Sequence, residues 1–476
     1  MFSGPLPPER FNLARYCLAD KPAEKTALTA AGQVTDRWTY GALEDVVLRM
    51  AEGLRRRGFE NGERLFLRMG NTVDYALMFF AANAAGAVPI PASAALTAPE
   101  VSKLLTNSQP RGVAWDGLLD LPACDGVMGP AEIAALKAAP RGEYAATLKD
   151  DPGYMVYTSG TLGQPKGVLH AQRAVWGRRP MYQGWYGITA DDVLLHTGAF
   201  NWTYTLGTAL FDTLANGATS VVNTGVAGID LWQRLADEHG ATIFASVPGI
   251  YRQLLRTNFK PPASLRHGLS AGEALPVPLL HDWRQRTGRE IFEAIGMSEV
   301  STYISSSPSV PVKPGSPGKL QAGRSVRILA DGQIGVHTTD PGLMLGYWNE
   351  PRLSGDWFQT GDMADIDDEG YVWLHGRVDE LMNAGGFRVS PIEVEAVLAQ
   401  HPGVLEAAVG ELRVSDTNAI IAAYVVPRPG VSVSEDAILA FARERLAAYK
   451  CPRQITLVHS LPRTANGKLI RKALVQ

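Results

Sequence analysis

The sequence predicts an α/β protein in which a large N-terminal part built on parallel sheet is followed by a small α+β part. Three observations predict it. At 476 residues the chain exceeds what one core usually serves, so two or more domains are expected. Helix-period runs alternate with short apolar runs through the first 250 residues, the pattern of a parallel sheet with crossover helices. Beyond residues 376–380 a compact helix and strand pattern repeats on a smaller scale, and about 100 residues suffice for a separate domain.

Taken in order, residues 40–57 place Leu43, Val46, Val47, Met50 and Leu54 at helical spacing, with Gly58 as a stop. Residues 64–69 read as a strand, 75–86 as a second helix and 88–90 as a second strand. The stretch 75–90 is the most apolar in the chain, yet Asn83, Gly86 and Pro89 interrupt it and it is too short to span a bilayer, so a buried helix is expected. Residues 154–157 form a short apolar strand. Further strands are expected at 193–196, 218–222 and 242–246, with a helix at 231–239. In the C-terminal part, 370–374 alternates as a strand. Helices are expected at 391–400 and 435–447, and strands at 419–426 and 454–458. The boundary divides the chain into 1–377, a short hinge at 378–380, and 381–476.

Composition narrows the function. Hydrophobic content of 46% with 20% charged residues is that of a soluble globular protein. A net charge of −3 argues against nucleic acid as a partner, since bulk nucleic-acid binding carries a basic excess. Cys17, Cys124 and Cys451 stand far apart without metal or disulfide spacing, which fits a reducing cytoplasm. The first ten residues lack the basic and apolar regions of a signal peptide. The tail from Tyr449 carries Lys450, Arg453, Arg463, Lys468, Arg471 and Lys472 without an acid, which suggests that it meets phosphate.

Residues 157–167 read Tyr-Thr-Ser-Gly-Thr-Leu-Gly-Gln-Pro-Lys-Gly, directly after an apolar strand. Glycines let backbone N–H groups approach an anion, and hydroxyls and a lysine add donors and positive charge. Those are the needs of a triphosphate. The spacing is not that of a Walker A loop, because Pro165 stands where its second glycine belongs and Gly167 follows the lysine. Downstream, Glu299 follows a Gly-Met turn, where a carboxylate could serve as a hard oxygen ligand for Mg²⁺. Asp362 lies between Gly361 and Met363 after a probable strand, placed to accept hydroxyl donors.

With Ser270-Ala-Gly-Glu273, Gly296-Met-Ser-Glu299, Thr360-Gly-Asp362, Gly376-Arg377-Val-Asp379, Gly385-Gly-Phe-Arg388 and Asn466-Gly-Lys468, these stretches fall in one known order. The chain resembles the adenylate-forming superfamily of acyl-CoA synthetases, luciferases and peptide-synthetase adenylation domains, nearly end to end. The resemblance implies layered, partly parallel sheets and helices in a large N-terminal domain, with a small mobile α+β C-terminal domain. It implies ATP, Mg²⁺ and coenzyme A as cofactor and co-substrates. Catalytic roles fall on Lys468, Glu299, Thr158 and Lys166, with Glu299 also the metal ligand. The nucleotide is expected on Thr158, Ser159, Gly160, Thr161, Gly163, Lys166, Ala271, Gly272, Glu273, Glu293, Ala294, Ile295, Gly296, Met297, Ser298, Asp362, Arg377 and Lys468. Asp379 is the implied hinge. Gly385, Gly386, Phe387 and Arg388 are the implied coenzyme A loop. Lysine near two anions stabilises charge that develops as a carboxylate attacks the α-phosphorus, and Lys468 matches the family lysine that does so. Rotation of the small domain would then withdraw it for the thiol step.

Two positions depart from the family pattern. Leu162 replaces a second threonine in the phosphate loop and removes one hydroxyl, and Ile295 stands where an aromatic commonly stacks on adenine, reminiscent of benzoate-type aryl-CoA ligases. The acyl pocket is expected from Trp202, Tyr204, Ala271, Gly296 and Tyr303. Between His196 and Asp212 there is no acid to hold an ammonium group, and an unpaired ammonium is costly to bury. The expected substrate is therefore an apolar aromatic or short-to-medium-chain carboxylic acid, joined to coenzyme A. Two alternatives stay open at this point: loading of a carrier-protein phosphopantetheine, and a non-catalytic nucleotide-binding relative. No membrane span is expected, and the chain is expected to be a monomer or homodimer.

Overall fold

A computed structural model describes residues 5–32, 35–158, 166–225, 228–384, 387–415, 418–463 and 469–474. Two compact units divide the chain. The first comprises Met1–Val326 and Val336–Phe358, the second Arg327–Gly335 and Gln359–Gln476.

The first unit is organised around a nine-stranded sheet. From one edge its strands are Lys319–Leu320, Ser301–Ser305, Ile291–Met297, His267–Ala271, Ile243–Ser246, Val193–His196, Thr219–Asn223, Thr26–Ala31 and Asp36–Thr39. The strands from Ile291–Met297 through Thr26–Ala31 run parallel. Those beyond them at either edge are antiparallel. From Val193–His196 the chain goes to one neighbour, Thr219–Asn223, and then to the opposite neighbour, Ile243–Ser246. The order thus reverses at the carboxyl end of Val193–His196, where open α/β sheets place their ligands.

A second sheet is wholly parallel, with strands Val88–Pro91, Arg64–Arg68, Gly112–Trp115 and Val127–Met128. A third, antiparallel, joins Gly346–Tyr347, Lys166–Ala171 and Pro152–Thr158. Helix Tyr40–Arg56 turns its apolar stripe, including Leu43, Val47, Met50 and Leu54, into the main core. Helix Val73–Ala84 is buried all round, as the run 75–90 predicts. Its one amide side chain, Asn83, accepts from Ala14 N–H at 3.1 Å and donates to Gly153 O at 2.7 Å. This polar residue therefore ties the buried helix to the strand that leads into residues 159–165, which lie outside the described residues.

A buried ion pair sits in the same unit. Arg178 meets Asp212 through Nε at 2.9 Å and Nη2 at 2.6 Å, and the Tyr186 hydroxyl donates to Asp212 at 2.7 Å. Both charged side chains are almost wholly enclosed.

The second unit contains most of a four-stranded sheet, Val326–Ile328, Gln333–His337, Trp357–Ile366 and Val372–Arg377. It continues with hairpin Met382–Ala384 and Phe387–Val389, helix Pro391–Leu398, strands Val404–Ser415, Asn418–Pro427 and Gln454–Leu457, and helix Glu435–Arg443. Val394, Leu398, Val409, Ile421, Val425 and Ile438 form its own core. The helices and strands expected from periodicity are present with ends shifted by a few residues, the usual uncertainty of helix boundaries. No helix among the described residues is long and apolar enough to cross a membrane.

Three cations of the basic tail have acidic partners. Lys450 pairs with Glu393, Arg463 with Glu406, and Arg471 with Glu380 and Glu395. The acids that pair with these three cations come from earlier in the same unit, whereas Lys468 lies outside the described residues.

Asp212→Asn leaves the Arg178 guanidinium buried without a counter-ion, which should cost about 3–5 kcal/mol of stability. A lowered urea midpoint for the first unit checks this, and an unchanged midpoint contradicts it.

Candidate active site

Thr158 and Lys166 are cross-strand partners at the mouth of the hairpin formed by Pro152–Thr158 and Lys166–Ala171. The antiparallel ladder holds both ends of the connection 159–165 at one place. Ser159, Gly160, Thr161, Leu162 and Gly163 fall on that connection, outside the described residues. The Lys166 ammonium pairs with Glu350 at 3.2 Å and lies 4.7 Å from the centre of the Tyr347 ring. Both members of the ion pair are well exposed, so it stabilises by at most about 1 kcal/mol.

The Tyr347 hydroxyl donates to Glu299 Oε1 at 2.9 Å. One tyrosine therefore links the lysine to the carboxylate, a link that sequence reasoning missed because Tyr347 is 48 residues from Glu299. Glu299 is only 8% exposed, and among the described residues the Tyr347 hydroxyl is its sole side-chain donor, with no lysine or arginine paired to it. A nearly buried carboxylate without a cation suits a hard divalent ion such as Mg²⁺, which takes one or two protein carboxylates and completes its shell from phosphates and water. The described residues contain no cluster of three or more potential metal ligands.

Ala271 and Ala294 pair across strands His267–Ala271 and Ile291–Met297. Along the latter strand Phe292 and Ala294 are buried, whereas Glu293, Ile295 and Met297 are half-buried on the other face and Gly296 is exposed. Glu293 accepts from Leu275 N–H at 2.9 Å, and burial raises its carboxyl pKa to about 7 against the lowering effect of that bond. Glu273 lies in the turn after Ala271, and Ser298 lies just past the next strand's end.

Gly272 has φ +96°, and a Cβ there would come within 2.9 Å of the Trp202 indole, so only glycine lets this turn lie against the ring. Trp202 meets Tyr204 edge-on at 5.2 Å, and Tyr204 stacks on Trp185 at 5.7 Å. Trp202, Tyr204, Ala271 and Ala294 belong to one apolar cluster beside the strand-order reversal. Tyr303 is not in that cluster; it is completely enclosed and close enough to Arg324 to interact with its charge. His196, which sequence reasoning passed over, packs edge-on against Tyr204 at 4.5 Å. Its Nδ1 accepts from Gly198 N–H, and burial lowers its pKa to about 3, so the ring is neutral. The acid nearest Tyr204 in sequence, Asp212, is paired to Arg178.

In the second unit Asp362 and Arg377 are cross-strand neighbours, with Nη1 of Arg377 3.4 Å from the carboxylate. The same guanidinium reaches Asp379 at 3.2 Å. The turn at 360 is fixed by Thr360, whose Oγ1 accepts from Asp362 N–H and donates to Ile334 O. Phe387 and Arg388 form a strand with Met382–Ala384, while Gly385, Gly386 and Lys468 lie outside the described residues. Arg463 and Leu469 bridge across residues 464–468.

Comparison with known proteins agrees with this layout. Residues 16–348 match the family model of AMP-binding enzymes, and residues 393–468 match the model of their C-terminal domain. Benzoate–CoA ligase of Thauera aromatica is 31% identical, over 98% of this chain and 95% of its own. The solved benzoate CoA ligase of Burkholderia xenovorans LB400 superposes with a TM-score of 0.86 at 30% identity, covering 98% of this chain and all of that one. The anthranilate CoA ligase AuaEII, solved with anthranoyl-AMP, gives a TM-score of 0.88 at 27% identity, covering 98% and 97%. The chain belongs to the AMP-binding enzyme family, the adenylate-forming superfamily, and is an acid–thiol ligase of benzoate–CoA ligase-like type.

Glu293 carries a pH prediction. Its folded pKa lies above that of an unfolded glutamate, so its neutral form favours the fold and that contribution is lost as pH rises through about 7. The melting temperature of Glu293→Gln relative to the unmodified protein should therefore increase from pH 6 to pH 8 in thermal scans. A pH-independent difference would contradict the assignment.

Proposed function

We propose that the protein activates an apolar aromatic or short-to-medium-chain carboxylic acid with ATP and transfers the acyl group to coenzyme A. The observation that carries the substrate class is the Trp202, Tyr204, Ala271 and Ala294 wall, closed by Gly272 against the indole, with Asp212 paired to Arg178 and with burial raising the pKa of Glu293, the neighbour of Ala294, to about 7. Such a wall accepts a ring or short chain and offers nothing to an ammonium group. Relatives named for benzoate, hydroxybenzoate and anthranilate support an aryl acid within that class.

In the first half-reaction a carboxylate oxygen attacks the α-phosphorus of ATP, the bond to the β-phosphate oxygen breaks, and pyrophosphate leaves. Lys166 and the backbone donors of 159–165 are assigned to the phosphates. Glu299 is assigned to Mg²⁺, which when bound offsets phosphate charge. Asp362 would accept the ribose hydroxyls, with Arg377 beside it. Lys468 would bridge the carboxylate and the α-phosphate, stabilising charge that appears only in the transition state. In the second half-reaction the thiolate sulfur attacks the acyl carbon and AMP leaves with the oxygen taken from the acid. Movement about Asp379 would exchange Lys468 for the loop of Gly385, Gly386, Phe387 and Arg388 between the two steps. The reaction is assigned to the cytoplasm.

Lys468→Ala should abolish acid-dependent pyrophosphate release while sparing thioester formation from a supplied acyl-adenylate. Unchanged adenylation would refute the role of the lysine. Across a panel from acetate to octanoate, benzoate and the hydroxybenzoates, kcat/KM should peak at an uncharged ring or short chain. Preference for an amino acid would overturn the substrate class.

A further inference from the structure

The carbonyls of Ser298, Glu299 and Val300 are each captured by a donor from a different part of the first unit. His170 Nε2 lies 2.7 Å from Ser298 O. A carbonyl cannot donate, so Nε2 must carry the proton. Met344 N–H donates to Glu299 O at 2.8 Å. Arg324 Nη2 donates to Val300 O at 3.1 Å. Glu299 thus projects its carboxylate from a turn whose backbone is held on three consecutive residues, while Tyr347 holds the carboxylate itself.

Two of these donors are expensive to keep. Arg324 and Asp340 are both 0% exposed and lie 3.3 Å apart. Buried ion pairs stabilise little over apolar replacements, so a buried pair is poor evidence of a stability role. This pair instead joins separate segments. Arg324 reaches Gly177 O through Nη1 at 2.5 Å and Val300 O through Nη2. Asp340 accepts from Ser325 N–H at 3.0 Å and Gly342 N–H at 2.9 Å. A Cβ on Gly177 would collide with Gly342 N, so the two backbones meet directly under the guanidinium. From Asp340 the chain runs through Met344 to Gly346–Tyr347, which pairs with Lys166–Ala171. His170 lies on that same strand, stacks on Tyr154 at 4.6 Å, and leaves its buried Nδ1 without a hydrogen-bond partner.

We infer that His170 and Arg324, the latter held by Asp340, are positioning residues that fix Glu299 in register with the Lys166 strand, so that metal and phosphate are presented together. The inference rests on the assignment of Glu299 to Mg²⁺. Neither residue touches substrate; each acts through a backbone carbonyl.

The test compares ATP affinity with Mg²⁺ and with EDTA by titration calorimetry. His170→Phe keeps a ring on Tyr154 but removes the donor. Arg324→Lys keeps the charge beside Asp340 but loses the fork. Each should reduce the Mg²⁺ enhancement of ATP affinity roughly 10- to 100-fold, as loss of groups that orient a metal ligand does. Affinity in EDTA and the KM for the acid should be unchanged. Leu254→Ala, which loosens a separate core, lowers the melting temperature without altering the enhancement. Full enhancement in both His170→Phe and Arg324→Lys, alongside its loss in Glu299→Gln, would overturn the positioning role while leaving the metal assignment intact. Full enhancement in Glu299→Gln would overturn the assignment on which the inference stands.

Discussion

Glu299 accepts a hydrogen bond from the Tyr347 hydroxyl and keeps a negative charge almost out of reach of water. A carboxylate in that situation normally acquires a cation or takes up a proton. The surrounding architecture fixes it closely: the turn is held at its backbone, the tyrosine holds one oxygen, and the Lys166 ammonium lies over the ring of the same tyrosine. Long-range pairing makes this possible. Residues 346–347 add a strand to Lys166–Ala171, and the parallel strand Ile291–Met297 delivers Glu299 just past its carboxyl end.

The acid side of the site follows from a different constraint. The order of parallel strands reverses beside Val193–His196, and the segment that follows carries Trp202 and Tyr204 into the opening. Its polar groups are spent internally. Tyr204 donates to Leu269 O, His196 is neutral, and Asp212 is locked to Arg178 and Tyr186. What remains among these residues is an aromatic cluster without a formal charge.

Much of this was legible in the sequence, for identifiable reasons. Helix Val73–Ala84 is buried on every side, so its run of apolar residues announced it. Asp362 and Arg377 stand together because they close one short hairpin, and local pairing is what sequence spacing reports best. The reading of residues 157–167 as a phosphate loop falls mostly on 159–165, outside the described residues. Tyr347, His170, Arg324 and Asp340 were illegible, because a hydrogen bond to a backbone carbonyl leaves no motif and their partners lie far along the chain. The acidic partners of Lys450, Arg463 and Arg471 were illegible for the same reason, since Glu380, Glu393, Glu395 and Glu406 precede them by dozens of residues.

The central claim is that a carboxylate oxygen becomes bonded to the α-phosphorus before the thiol attacks. Turnover of ¹⁸O-carboxyl-labelled benzoate with ATP, Mg²⁺ and coenzyme A, followed by mass spectrometry of the nucleotide, tests it most directly. The account predicts AMP carrying one ¹⁸O atom and unlabelled pyrophosphate. Unlabelled AMP, or label in phosphate released from the γ-position, would contradict it.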